Sequence, residues 1–426
     1  MNTTIESKTG VSTTAQVTLD WPEVADIHTE LAQKLRKNLR IPGFRPGKAP
    51  QEMVRRLIAP QLERDFRVQV IEQKLPEALR QIGIEEFLDF SILTTDVHEN
   101  DRFEFKFRVE YDPEIVPCDY KKGIELTCNQ YQVDDAEVDH YLEELREKHA
   151  EIHLITDGAR PGHYIQARIQ EVDSAGTPII GHLLENETFK LGEDYFTRHG
   201  ANLEGVRPDQ EVRISVQPEQ GDPRAYELLI KRVEEHVLPE LTDDFIQATF
   251  PGVENYQALY ESARRELQAQ WDKQAEKEFT DQLRTYLLSH TDFEAPRYRI
   301  EHFLEEMLKD HQKRQPNHPI DPEVWRKQYE PVAINDIRWY LLRKKIQATE
   351  NLTVSPQEVD ETIDALIKRS KPEYRDYLRT QYRKSENRRE IENDLFESGI
   401  IRHLREYVTI TPKVIRTGDF FKKGDA

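Results

Sequence analysis

The stretch Leu39-Arg40-Ile41-Pro42-Gly43-Phe44-Arg45-Pro46-Gly47-Lys48-Ala49-Pro50 carries three prolines and two glycines in twelve residues and can extend neither a helix nor a strand. On its N-terminal side Pro22 opens a helical pattern, with Val24, Ile27, Leu31, Leu35 and Leu39 at three- and four-residue spacing until Pro42 and Gly43 stop it. On its C-terminal side Gln51 to Ile58 reads as a helix. A second follows from Gln61 to Ile82 on the stripe Leu62, Phe66, Val70, Leu75 and Leu79. Further out lie strands. Residues 13–20 alternate, Phe87–Leu93 is β-like, and in Arg102–Tyr111 Phe103, Phe105, Phe107 and Val109 alternate with charged residues. Residues 1–112 are therefore predicted to be an α+β unit whose loop sits at a helix–helix turn.

That loop lies in an island of positive charge. The 426-residue chain has 60 basic and 80 acidic residues, a net charge of −20, and such a field repels nucleic acid. Between residues 34 and 56, however, Lys34, Arg36, Lys37, Arg40, Arg45, Lys48, Arg55 and Arg56 face one acid, Glu52. Such a cluster neutralises phosphates and gives salt-sensitive binding. Phe44, set between glycine and arginine at a turn, has little to bury against locally; exposed, it is a contact anchor. The competing reading folds Phe44 back on its own domain and leaves the charges as a solvated face.

These residues resemble the signature of trigger factors, Gly-Phe-Arg-x-Gly-Lys-x-Pro. Gly43, Phe44, Arg45, Gly47, Lys48 and Pro50 occupy every fixed position. The resemblance implies that Gly43, Phe44, Arg45, Pro46, Gly47 and Lys48 bind the ribosome, through a ribosomal protein and rRNA beside the exit tunnel, with Lys34, Arg36, Lys37 and Arg40 as the supporting basic patch. Pro46 departs from the family, where a second basic residue is common. It removes a cation but stiffens the loop, lowering the ordering cost of docking.

The resemblance extends over essentially the whole chain and implies a multidomain α+β protein. Residues 113–157 would be a linker packing with the C-terminal domain. Residues 158–236, rich in glycine among short β-like runs, would be an FKBP-like, peptidyl-prolyl isomerase-like domain, and 237–426 an elongated all-α chaperone domain. The expected isomerase signatures, an Asp-Phe or Asp-Tyr pair on the first strand and an Ile-Pro-Gly-Phe/Trp turn, are missing. Ala167 and Arg168 stand at the first, and Leu191–Gly205 lacks the second. A charged Arg168 in a desolvated pocket would be costly, so no catalytic residue is assigned. Phe189, Tyr195 and Phe196 are candidates for an altered groove, with ordinary packing as the competing reading.

In the helical region, Tyr256, Tyr260, Ala263, Leu267, Trp271, Ala275, Phe279, Leu283 and Leu287 form one long stripe, and helices are expected at Arg297–Gln312, Pro322–Glu350, Ser355–Arg369 and Pro372–Tyr407. A holdase needs apolar contacts scattered in polar surface. Val324, Trp325, Tyr329, Ile337, Trp339 and Tyr340 are the client-binding candidates, against the reading that they pack helix on helix.

The remaining signals are exclusions. Two cysteines, Cys118 and Cys128, make no disulfide framework or metal spacing, and the chain shows no phosphate loop or nucleophile elbow. No cofactor or metal is expected. The start has no apolar export signal and no window approaches 18 apolar residues, so the expected location is the cytoplasm, without membrane contact. The function expected is an ATP-independent chaperone that binds nascent or unfolded polypeptides near the exit tunnel. The alternatives are an active prolyl isomerase with chaperone domains and a ribosome-independent holdase or assembly chaperone. Dimerisation off the ribosome stays open.

Overall fold

The computed structural model describes residues 1–40, 42, 44, 49–173, 176–218, 222–315 and 320–421. The chain begins β1 (Asn2–Lys8), β2 (Ser12–Asp20), α1 (Ala25–Asn38), α2 (Gln51–Gln81), β3 (Asp89–His98) and β4 (Arg102–Glu110). The four strands form an antiparallel sheet in the order β1-β2-β4-β3. Val17 pairs with Phe105 and Leu19 with Phe103, so the alternating apolar residues of both strands share the face that α1 and α2 cover. Phe66 of α2 is 1% exposed and meets Phe103 edge-on at 5.6 Å, with His28 at 5.1 Å and Trp21 at 5.8 Å.

Two features differ from expectation. Strand β1 has no apolar alternation and is almost wholly exposed; backbone pairing with β2 defines it. The two helices expected at 51–58 and 61–82 are one 31-residue helix running through Pro60 and Pro76. Both prolines lie on its exposed side, where water can satisfy the carbonyls they leave, and Arg80 Nε donates to the Pro76 carbonyl at 3.2 Å.

Next come β5 (Ile124–Gln132), α3 (Asp135–Lys148), β6 (Glu151–Leu154), β7 (Tyr164–Val172), β8 (Pro178–Lys190), α4 (Tyr195–Arg198), β9 (Glu211–Val216) and β10 (Arg224–Val237). Strands β6 to β10 form an antiparallel sheet in the order β6-β10-β7-β8, with β9 also on β10. Its core joins Ile165, Ala167 and Ile169 to Leu228 and Ile230, beneath Phe196 and Leu203 from the segment after β8. Gly158, at φ +127°, lies so close to Gly205 that a Cβ would meet that backbone at 3.0 Å.

The remainder is α5 (Asp243–Thr249), α6 (Tyr256–His290), α7 (Arg297–Arg314), α8 (Pro322–Glu350), α9 (Pro356–Arg369), α10 (Arg375–Gln381), α11 (Ser385–Arg405), β11 (Val408–Arg416) and α12 (Gly418–Phe421). The start signal at 355–358 is a true capping box: the Glu358 amide donates to Ser355 Oγ at 3.2 Å, and the Ser355 amide to Glu358 Oε2 at 2.8 Å. The helix expected over 372–407 is interrupted without proline or glycine. Asn387 Nδ2 donates to the Gln381 carbonyl at 3.0 Å and so satisfies the end of α10. Nor is the region all-α, because β11 pairs with β5. The Ile124 amide bonds the Tyr407 carbonyl and the Thr417 amide the Gln132 carbonyl, so the two strands run parallel.

By its contacts the chain forms two units. Met1–Leu126 and Phe279–Thr411 make one; Thr127–Glu278 and the chain from Pro412 make the other. In the second, buried Glu137 accepts hydrogen bonds from Trp271 Nε1 at 2.8 Å and from the Thr417 hydroxyl. Trp271 stacks on Tyr131 at 4.5 Å and on Phe420 at 5.5 Å. Neither cysteine is in a disulfide, and no described helix is long and apolar enough to cross a membrane.

In the first unit Glu350 gathers a polar cluster. Tyr120 donates to its Oε1 at 2.6 Å, Lys121 Nζ lies 2.9 Å from Oε2 and His403 Nε2 3.4 Å from the same oxygen. The hydrogen bond from Lys121, then that from Tyr120, holds the Glu350 carboxyl below its usual range. A carboxyl depressed in the fold adds stability that is present above its unfolded value, about 4.3, and lost as pH falls through the folded value. Glu350→Gln is accordingly expected to be less stable than the parent at pH 7, with the gap closing as pH drops below 4.3. Urea titrations at stepped pH check this; a gap independent of pH would exclude the charge as its source.

Candidate functional site

The hairpin of α1 and α2 positions the first candidate surface. Ile27, Leu31 and Ala32 bury one face of α1, which turns Lys34, Arg36 and Lys37 outward, and Arg40 beyond it is also exposed. Arg36 and Lys37 also complement the C-terminal end of the helix dipole. Among the described residues Arg55 lies 3.4 Å from Glu99, both exposed, a pairing of little energetic weight. Lys34, Arg36, Lys37, Arg40 and Arg56 make no ion pair with any described residue, so their charge faces outward unneutralised. Phe44 is 42% exposed. Gly43, Arg45, Pro46, Gly47 and Lys48 lie outside the described residues.

Sequence reasoning passed over Met53 and Leu57, which are 42% and 53% exposed at i and i+4 on the first turns of α2. Their spacing would ordinarily signal a buried stripe. The available signal was phase: the buried residues Ile58, Phe66 and Val70 define a face on which position 57 does not fall.

In the sheet of the second unit, alternation along β7 puts Ala167 in the core and Arg168 on the exposed face, 3.8 Å from Glu185. The expected cost of burying Arg168 therefore does not arise. The inward residue at this point is the small, apolar Ala167. Phe196 is 8% exposed and meets Phe189 and Tyr226 edge-on, each at 5.4 Å, as core packing; Tyr195 is 42% exposed beside His199.

The client-binding candidates divide along α8. Trp325 is 5% exposed and packs 4.1 Å from Tyr329, within the pairing of α7 with α8 that also buries Ile300, Leu304 and Ala333. It is spent on helix packing. Val324 is 59% exposed and Tyr340 36% exposed. Ile337 and Trp339, though buried, join Tyr340 in lining a cleft of about 410 Å³. There Trp339 Nε1 donates to Glu397 Oε1 at 2.9 Å, and Arg343 pairs with the other oxygen at 2.7 Å.

A basic helical tip bearing an exposed phenylalanine, and a helical body holding an aromatic cleft, define a multidomain binding protein. The comparisons place it more closely. Residues 1–145 match the family described as bacterial trigger factor protein (TF), and residues 256–406 match the C-terminus of the same family. The trigger factor of Desulfosudis oleivorans is 27% identical over 397 residues, covering 86% of this chain and 87% of that protein. That of Chlorobaculum tepidum is 24% identical over 422 residues, covering 95% and 96%. A solved structure described as showing promiscuous substrate recognition by the trigger factor chaperone has 17% identity and a TM-score of 0.49, covering 95% of this chain and 99% of its own. The chain belongs to the trigger factor family.

Proposed function

We propose that the chain is a ribosome-associated, ATP-independent chaperone of the cytoplasm that binds nascent or unfolded polypeptides near the exit tunnel. The observation that carries the docking half is Phe44, exposed at the tip of the α1–α2 hairpin amid outward-facing basic side chains that no described acid neutralises. The tip supplies an aromatic anchor and phosphate-neutralising charge together, the chemistry of a junction between protein and RNA. On this reading Gly43–Lys48 is the docking loop, 1–112 the ribosome-binding domain, 113–157 a linker, 158–236 an isomerase-like domain and 237–426 the chaperone region. Tethering raises the local concentration of a weak polypeptide-binding surface around each emerging chain. Ribosome co-sedimentation tests docking; binding at low salt that falls steeply as salt rises is expected, and no binding at low salt would overturn it.

Catalysis of proline isomerisation is not part of the proposal. The uncatalysed barrier is about 20 kcal/mol, and rotating the imide requires a desolvating pocket of aromatic side chains. Here the inward residue on β7 is Ala167, and Phe196 is committed to the core. In a cis/trans assay on a proline tetrapeptide the full chain is expected to leave the rate at background; a rate well above it would restore the enzyme reading.

A further inference from the structure

We infer that the turn joining α9, α10 and α11 is an RNA contact that binds an unpaired segment of ribosomal RNA. In naming that source it rests on the docking reading above, but it uses none of the residues of the α1–α2 tip. From Lys368 to Arg389 the sequence carries nine basic residues against three acids, Glu373, Asp376 and Glu386. That is a net charge of +6 in a chain of −20, with Tyr374, Tyr377 and Tyr382 interleaved.

The fold decides which of these side chains a strand can reach. Leu378 and Tyr382, one turn apart, pack on Val359, Ile363 and Ile367 and so seat α10 on α9. Arg375 is drawn into the turn: its Nε donates to the Ser370 carbonyl at 3.1 Å and its Nη2 to the Lys368 carbonyl at 3.0 Å, which fixes the exit from α9. Arg388 reaches Asp360 at 2.7 Å and ties α11 to the same helix. Arg379 holds Asp376 in an exposed pair that carries little energy. Lys368, Arg369, Lys371, Arg383, Lys384 and Arg389 are left exposed, and none makes an ion pair with a described residue. Tyr374 and Tyr377 are 57% and 61% exposed. The acids that flank the segment in sequence, Asp364 and Glu390, lie a full turn or more inside α9 and α11. The set suits phosphate and base together: uncompensated cations neutralise phosphates, and exposed phenol rings offer faces on which unpaired bases stack. An anionic bilayer would meet the acidic remainder of the chain, whose field opposes it. An acidic peptide supplies carboxylates but no bases for the two rings.

The test uses the full chain and a fluorescein-labelled oligouridylate of about twelve nucleotides, read by anisotropy across a salt series. An abasic strand of the same length and an oligoglutamate serve as comparisons. Lys371→Gln/Arg383→Gln/Lys384→Gln should weaken oligouridylate binding and make the slope of log K against log salt shallower by about two units. Tyr374→Ala/Tyr377→Ala should weaken oligouridylate by about tenfold and leave the abasic strand unaltered. Circular dichroism should be unchanged in both, and both effects should recur in a Lys34→Gln/Lys37→Gln background. In ribosome co-sedimentation the charge variant should also pellet less and with a shallower salt slope, although Phe44 is intact. Parent-like oligouridylate binding by either variant, oligoglutamate bound as tightly as oligouridylate, or parent-like pelleting of the charge variant overturns the inference. If the parent itself fails to pellet with ribosomes while the oligouridylate results hold, the docking reading falls and the RNA site stands.

Discussion

Ribosomes pelleted with the Phe44→Ala/Arg45→Ala variant are expected to carry down little of it, while its helicity matches the parent. Phe44 is exposed at the end of a hairpin, so removing its ring opens no cavity and should not change folding stability. At interfaces, however, aromatic and arginine anchors commonly cost 2 kcal/mol or more each when truncated. Together the two changes should weaken docking by roughly two to three orders of magnitude. Removing a phosphate-neutralising charge should also flatten the salt dependence, because each such contact contributes close to one unit of slope in log K against log salt. Lys34→Ala/Lys37→Ala, on exposed positions of α1, should show that flattening with a smaller loss. Parent-like co-sedimentation by the Phe44/Arg45 variant would refute the docking role, and lost helicity would mean that the loop has a structural duty instead.

The second large effect lies behind the tip. Phe66 is 1% exposed and touches the rings of Trp21, His28 and Phe103, joining the turn before α1, α1 itself, α2 and the sheet. Phe66→Ala removes a ring from a close-packed site, for which losses of about 3–5 kcal/mol are usual. The midpoint of urea unfolding should fall accordingly, and ribosome binding should fall with it because the hairpin that displays Phe44 loses its seat. The two variants separate the contributions: the first loses docking at full stability, the second loses docking through stability. A cost under about 1 kcal/mol would mean that the surrounding rings close the gap.

What the sequence shows plainly is what local chemistry decides. The alternation of Phe103, Phe105, Phe107 and Val109 marks β4, and Ser355-Pro356-Gln357-Glu358 marks the start of α9. The bounds Pro322 and Glu350 of α8 are readable because Asp321 accepts from the Glu323 amide and Asn351 adopts the left-handed conformation at φ 54°. What long-range contacts decide stays hidden. Strand β1 exists because β2 offers it an edge, and α2 survives Pro60 and Pro76 because the carbonyls they vacate belong to exposed residues, Arg56 and Glu72. Strand β11 needs β5, far off in the chain.

The same division holds at the candidate surfaces. Phe44 stands among glycines, prolines and basic residues in sequence, and its exposure can be inferred from that stretch alone. Trp325, Ile337, Trp339 and Leu342 of α8 are buried on several sides of one helix. Apolar spacing along such a helix cannot distinguish a ring packed against its neighbours from one that walls a cleft.

The pairing of β5 with β11 also bears on how this protein is made. The Gln132 carbonyl and the Thr417 hydroxyl that reaches it are 285 residues apart in sequence. During synthesis the edge of β5 therefore waits without its strand partner, and Glu137 has Trp271 but not Thr417, until Val408–Thr417 has emerged. The closing contacts form last, as expected for pairings of high sequence separation. If the protein shields unfinished chains, it must first pass through the same predicament itself, with an open strand edge and a carboxylate only half partnered while most of its own length is already in water.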